Sequence, residues 1–223
     1  MIKLALFDLD NTLYPTHEQE IACRKAAIKA MIKRGLPGTI EEQLKKLNAI
    51  VKELGSNSEE HFDTLVKRSF NKIPERKLLA ITSQGITEYN TVKQKRMKLY
   101  PDAKKVLRIL IKRGFSLGIL TKGRKKKQWD KINRLSLYEF FGNNVWIVTD
   151  DQSKEQAIKD IINEFNLSQQ EIMLVGDRPD SDIKAAKKAG IKSVQLMKGP
   201  YKNMKGSKPD YKINNLKELI TLI

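Results

Sequence analysis

Beyond residue 100 the chain alternates short apolar runs with amphipathic ones, and no other feature constrains its fold as tightly. FSLGILT, VWIVTD, IMLVGD and SVQLM are each too short for a helix and apolar on both faces. A strand buried on both faces needs a layer on either side. The segments near 154–165 and 182–189 have the helical spacing to supply those layers. Strands and helices in this order predict an α/β fold with a parallel, doubly wound, Rossmann-like sheet. The opening stretch LALFDLDNTLY reads as one more buried strand, running directly into Asp8 and Asp10.

Between that first strand and the next lies a block with a different rhythm, helical from Glu18 to about Met97. Ile21, Ile28, Met31 and Ile32 recur at helical spacing before Gly35 and Pro37 break the run. Thr39 with Glu42 forms a capping-box signal ahead of Leu44, Leu47, Val51 and Leu54, and Gly55 stops that helix. Asn57 or Ser58 can cap a third helix carrying Phe62, Leu65, Val66 and Phe70, and a fourth occupies much of 77–98. After Tyr100-Pro101, Asp102 is placed to cap a helix through Val106, Leu107, Leu110 and Ile111. The expected division is therefore a core of residues 1–15 and 98–223 with a helical insertion, 16–97.

Composition narrows the partners. Of 223 residues, 43 are Lys or Arg and 26 are Asp or Glu, a formal charge of +17 that invites an anionic partner. The lysines are spread along the chain among glutamates, as on the surfaces of heat-adapted proteins. Aromatic residues make up only 7% and no recognition motif appears, which argues against nucleic acid. One cysteine, Cys23, excludes an internal disulfide framework and points to a reducing cytoplasm. No basic leader precedes a cleavable apolar segment and no apolar run is long enough for a bilayer, so no membrane is expected.

Ligands of a doubly wound sheet bind beyond the carboxyl ends of its strands. Here those ends carry Asp8 and Asp10, then Thr121, Asp150 with Asp151, and Asp177. In this order, Asp8-Leu9-Asp10-Asn11-Thr12, Thr121 and Gly176-Asp177 with Asp182 resemble the motifs of the haloacid dehalogenase-like hydrolases, over nearly the whole chain. The resemblance implies a phosphatase: Asp8 as nucleophile forming an aspartyl-phosphate, and Asp10 as general acid and base. It implies Mg2+ held by Asp8, the backbone carbonyl of Asp10 and Asp177. Thr121, with backbone N–H groups of Leu9, Asp10 and Lys122, would support the phosphoryl oxygens. Asp182 would back the metal through water or order the neighbouring lysine.

That lysine is where the chain departs from the family pattern, which often places it in a Lys-Pro pair. DDQSKEQAIKD has no proline, and Lys154 is the best candidate, ahead of Lys159. An insertion between the first and second motifs resembles a type I helical cap, flanked here by hinge positions at Tyr14-Pro15 and Tyr100-Pro101. The acid at Asp10 disfavours dehalogenation. Phosphonate cleavage would require a Schiff-base lysine from the cap, and none stands out.

RKAAIKAMIKRGLP, ELGSNSEEHFDTLVKRSF, ILTKGRKKKQWDKINRL and MLVGDRPDSDIKAAKKAGIKSV are similar to archaeal glyceraldehyde 3-phosphate phosphatases of the family. The expected substrate is a small phosphorylated sugar or triose. The alternatives are a nucleotide or phosphoglycolate phosphatase and, outside hydrolysis, a nucleic-acid-binding or non-catalytic interaction protein. A monomer or small homo-oligomer is expected. His17 and His61 read as surface or packing residues, and Arg124-Lys125-Lys126-Lys127 as a solvated helix start.

Overall fold

The computed structural model describes residues 1–55 and 58–222. They form two compact units, one of Met1–His17 with Lys98–Ile223 and one of Glu18–Met97.

The first unit holds a six-stranded sheet in the order β3-β2-β1-β4-β5-β6, with every neighbouring pair parallel. The strands are β1 (Leu4–Phe7), β2 (Ser116–Lys122), β3 (Val145–Val148), β4 (Ile172–Gly176), β5 (Lys192–Leu196) and β6 (Tyr211–Ile213). β1 and β4 are buried along their whole length because helices cover both faces of the sheet. One layer joins Leu4, Leu6, Ile172 and Leu174 to Ile158 and Ile161 of α8 (Lys154–Glu164) and to Ala185 and Ala186 of α9 (Lys184–Lys188). The strand order reverses between β1 and β4, so the crevice beyond their carboxyl ends is the place for a ligand.

The second unit contains most of α1 (Thr16–Lys33), with α2 (Ile40–Leu54), α3 (His61–Arg68) and α4 (Glu75–Arg96). It has its own core of Ile28, Met31, Leu36, Leu47, Ile50, Leu65, Val66 and Ile81. Both halves of the α2 capping box are present: the Thr39 hydroxyl accepts from Glu42 N–H, and the Glu42 carboxylate accepts from Thr39 N–H. Cys23 is a buried free thiol in α1.

Some expectations need correction. Ile21 is 48% exposed, because the buried stripe of α1 passes through Cys23, Ala27, Ile28 and Met31 instead. Glu60, not Ser58, is the residue at the start of α3, and Ser58 Oγ accepts from Glu60 N–H; Asn57 lies outside the described residues. Asp102 precedes α5 (Ala103–Lys112) but does not cap it. Its carboxylate accepts from Lys217 N–H at 3.2 Å and ties down the C-terminal segment. β6 and two helices after β2, α6 (Lys125–Arg134) and α7 (Tyr138–Phe141), complete the unit together with α10 (Leu219–Leu222).

Candidate active site

β1 ends at Phe7, and the chain then makes a tight turn through Asp8 to Tyr14. Asn11 occupies the left-handed region at φ 60°, a conformation that asparagine tolerates because its short side chain can bond locally. Its Oδ1 accepts from His17 N–H at 2.8 Å, and its own N–H donates to Tyr14 O at 2.9 Å. Tyr100 N–H donates to Leu13 O at 2.9 Å, so the two points where the chain crosses to and from the insertion are stitched together. The turn is thereby held with Asp8 and Asp10 at the strand end.

Asp8 and Asp177 continue the neighbouring strands β1 and β4, in register through Phe7 and Val175. Asp8, Asp177 and Asp182 each offer a carboxylate oxygen within 4.8 Å of the other two, and all three residues are buried. Lys154, the first residue of α8, brings a cation to these groups. Its Nζ donates to Asp8 Oδ1 at 2.6 Å and to Asp182 Oδ1 at 2.7 Å, with only 5% of the side chain exposed. Asp182 Oδ2 accepts from Arg178 N–H at 3.0 Å, so both oxygens of Asp182 are occupied. Lys159, by contrast, lies on the exposed face of α8 beside Glu155.

One ammonium among three carboxylates leaves the cluster short of positive charge. Burial, and then the Asp8 and Asp182 charges, push the Asp177 carboxyl up to about 9. Burial likewise pushes Asp8 up to about 7, against the pull of Lys154. Burial acts to lower Lys154, but Asp182 and Asp8 outweigh it and hold the ammonium well above its ordinary value. Asp177 Oδ2 is buried with no hydrogen-bond partner among the described residues. A fully buried carboxylate oxygen without a donor is costly. Hard oxygen donors around a local excess of negative charge are what a divalent cation requires, and the donor set fits one.

Asp10 has different surroundings. Lys131 Nζ donates to both of its oxygens, at 2.7 and 2.8 Å. The hydroxyls of Tyr14 and Thr16 donate to Oδ1 at 2.7 Å each, and Gln128 Nε2 donates to Oδ2 at 3.0 Å. Burial opposes ionisation here too, but Lys131, Tyr14 and Gln128 overcome it and hold the carboxyl below its usual value. Two aspartates two residues apart are thus driven in opposite directions by their surroundings, Asp8 upward by burial and Asp10 downward by Lys131, Tyr14 and Gln128.

Thr121, at the end of β2, is 1% exposed and accepts from Gln128 Nε2 at 2.8 Å. The Lys122 side chain turns outward to Asp150 at 3.1 Å, and only the backbone of Lys122 remains near the site. No sequence motif singles out Gln128, Lys131, Tyr14 or Thr16. The first two sit three residues apart on α6, the register that puts both on one helical face.

Similarity to known proteins extends along nearly the whole chain. Residues 5–196 match the family model described as haloacid dehalogenase-like hydrolase. The chain is 38% identical to a glyceraldehyde 3-phosphate phosphatase of Methanocaldococcus jannaschii, over 100% of this chain and 97% of that protein. It is 36% identical to a glyceraldehyde 3-phosphate phosphatase of Methanopyrus kandleri, over 100% and 97%. Its backbone is similar to that of a haloacid dehalogenase-like family hydrolase from Xanthomonas campestris, with TM-score 0.68 and 18% identity, covering 99% of this chain and 90% of that one.

Proposed function

The chain belongs to the haloacid dehalogenase-like hydrolases, and from that premise we propose that it is a phosphatase of small phosphorylated metabolites with glyceraldehyde 3-phosphate as the favoured substrate. The observation that carries this reading is the grouping of Asp8, Asp177 and Lys154 at the reversal of strand order. The substrate assignment rests on similarity to the archaeal phosphatases, which extends along the whole chain.

Asp8 is the nucleophile. Its carboxylate attacks phosphorus, the bond to the leaving oxygen breaks, and an aspartyl-phosphate forms. Asp10 gives the leaving alkoxide its proton, then takes one from the water that hydrolyses the intermediate. Its neighbours favour the ionised form that the second half needs. For the first half Asp10 must therefore take up a proton from water as the substrate binds, and the proton it later takes from the hydrolytic water restores that protonated state. Thr121 and Lys154 face the charge that spreads over the phosphoryl oxygens. Magnesium would be held by Asp8, Asp177 and the Asp10 carbonyl, and would neutralise the phosphoryl group as the nucleophile approaches. Asp182, which accepts from Lys154 and from Arg178 N–H, would order Lys154 or back the metal through water. The helical insertion, residues 16–97 as read from the sequence, would be the type I cap that the family resemblance implies. The free thiol at Cys23 supports a cytoplasmic setting.

The test is phosphate release from glyceraldehyde 3-phosphate, 2-phosphoglycolate and nucleoside monophosphates, with magnesium or with chelator. Magnesium-dependent turnover that is greatest on the triose phosphate and absent from a folded Asp8→Asn protein is expected. Wild-type rates in Asp8→Asn would overturn the mechanism.

A further inference from the structure

α6 begins with a solvated basic run, yet two of its residues point inward. Gln128 is 2% exposed and Lys131 has 17% of its side chain exposed. Burying a long polar side chain is unfavourable unless every polar atom is engaged, and the partners of these two are informative.

Gln128 Nε2 lies 2.8 Å from Thr121 Oγ1, 3.0 Å from Lys122 O and 3.0 Å from Asp10 Oδ2. A backbone carbonyl has no proton to give, and Asp10 already receives four donor contacts besides this one. The atom facing them must be the amide nitrogen, so the orientation of the amide follows from chemistry. That nitrogen cannot accept. Thr121 Oγ therefore accepts from Gln128, and its own proton is directed elsewhere. A phosphoryl oxygen is the acceptor that this strand end is built to meet.

Gly123 has φ 151°, and a Cβ there would approach the Gln128 side chain to 3.3 Å, so the turn after β2 leaves space for it. Lys131 performs the corresponding task at Asp10. It engages both carboxylate oxygens and fixes the plane of the group, while its Nζ stands 5.9 Å from the centre of the Tyr14 ring.

We infer that Gln128 and Lys131 are positioning residues of the phosphatase reaction: Lys131 aims the Asp10 carboxyl at the leaving oxygen, and Gln128 couples Asp10 to Thr121 and turns the Thr121 hydroxyl proton towards the phosphoryl group. This rests on the phosphatase reading above. Neither residue contacts the reacting atoms in this scheme. Each acts through another.

The two roles separate by leaving group. An alkoxide needs a proton as it departs, whereas p-nitrophenolate does not. Lys131→Met is expected to lower kcat about a hundredfold on an alkyl phosphate such as glycerol 3-phosphate or glyceraldehyde 3-phosphate, the size of a general-acid contribution. On p-nitrophenyl phosphate the pre-steady-state burst of p-nitrophenolate, which reports formation of the aspartyl-phosphate, should slow by less than about threefold, because Asp10 is needed there only for the later hydrolysis. Lys131→Arg, which keeps a bidentate donor, should recover much of the alkyl phosphate activity.

Gln128→Leu is expected to lose about a hundredfold on both substrates, because support of the phosphoryl oxygens is needed whatever departs. Equal slowing of leaving-group release in the first turnover on the two substrates in Lys131→Met, or full activity in Gln128→Leu, would overturn the inference. A crystal structure of Lys131→Met gives a readout independent of turnover. An Asp10 carboxyl rotated from its present place supports the role, and an unmoved one overturns it. Absence of wild-type turnover on every phosphate would instead remove the phosphatase reading, with that structure still deciding whether Lys131 positions Asp10.

Discussion

Gly176 and Asp182 are in closest approach at the end of β4: a Cβ on Gly176 would fall 2.4 Å from Asp182 Oδ2 and 2.5 Å from its Cβ. The missing side chain of one residue is what lets the other reach Lys154. Gly176→Ala is expected to displace Asp182, destabilise the fold by about 1–3 kcal/mol as overpacking does, and lower kcat by weakening the hold on Lys154. Denaturant unfolding and steady-state rates check both effects. An alanine variant with wild-type stability and activity would show that Asp182 can yield at no cost.

Removing Lys154 should be more damaging than removing an exposed lysine. Lys154→Met leaves Asp8 and Asp182 without their common cation in a buried setting. Breaking such a pair costs about 3–5 kcal/mol, so the melting temperature in chelator should fall clearly while turnover is abolished. Lys159→Met, on the exposed face of α8, is the control and should change stability by no more than about 0.5 kcal/mol.

The acidic cluster makes stability depend on pH in a direction opposite to that of an ordinary salt-bridged carboxylate. Folding raises Asp8 to about 7 and Asp177 to about 9 from ordinary values near 3.8. The native state then binds protons more tightly than the unfolded chain. Their stabilising contribution is complete below the unfolded value and is lost as pH rises through 7 for Asp8 and 9 for Asp177. In chelator the melting temperature should therefore decline from about pH 4 to about pH 9, and magnesium should raise it most at the alkaline end. Differential scanning calorimetry at several pH values, with and without magnesium, measures this. A chelated protein whose stability rises across that range would contradict the arrangement of charges described here.

Asn11 holds the turn just after the two aspartates in a left-handed conformation and accepts from His17 N–H. Asn11→Ala loses the acceptor and with it the local side-chain bonding that makes φ 60° tolerable, which should cost about 1–3 kcal/mol. Asn11→Asp keeps an acceptor and should be closer to wild type in unfolding experiments. Equal stability of the two variants would mean that the side-chain bond contributes nothing.

The sheet and the acidic half of the site are legible in the sequence because each rests on a local signal. β2 to β5 are apolar runs bounded by turns, and Asp8, Asp10, Thr121 and Asp177 stand at the strand ends. Lys154 is legible as the best candidate lysine in DDQSKEQAIKD despite the missing proline, and the structure places it directly after the N-cap Ser153. Gln128 and Lys131 are not. In KKKQWDKINR polar residues occur all around the helix, and nothing in their spacing distinguishes the two that meet Asp10 across the sheet edge. β6 leaves little signal because only Ile213 of its three residues is buried, and its pairing with β5 defines it as a strand. Asp102 misleads for a similar reason: a residue suited to capping its own helix finds a distant N–H instead.

The placement of β1 in the middle of the sheet has a consequence for biosynthesis. β1 is made before its two neighbours, yet Leu4 pairs with Ser116 on one side and Ile172 on the other. Closing such distant contacts is slow and entropically costly. An apolar segment that emerges long before its partners is exposed to misassembly with other nascent chains. Residues 18–97, which follow it directly, hold a core of their own and can condense while β1 waits. The nucleophile at Asp8 thus leaves the ribosome early but gains its setting late, once Lys154 and the strand ending at Gly176 have been translated. A chain cut short before that point would carry Asp8 without the lysine and the neighbouring carboxylate that set its charge.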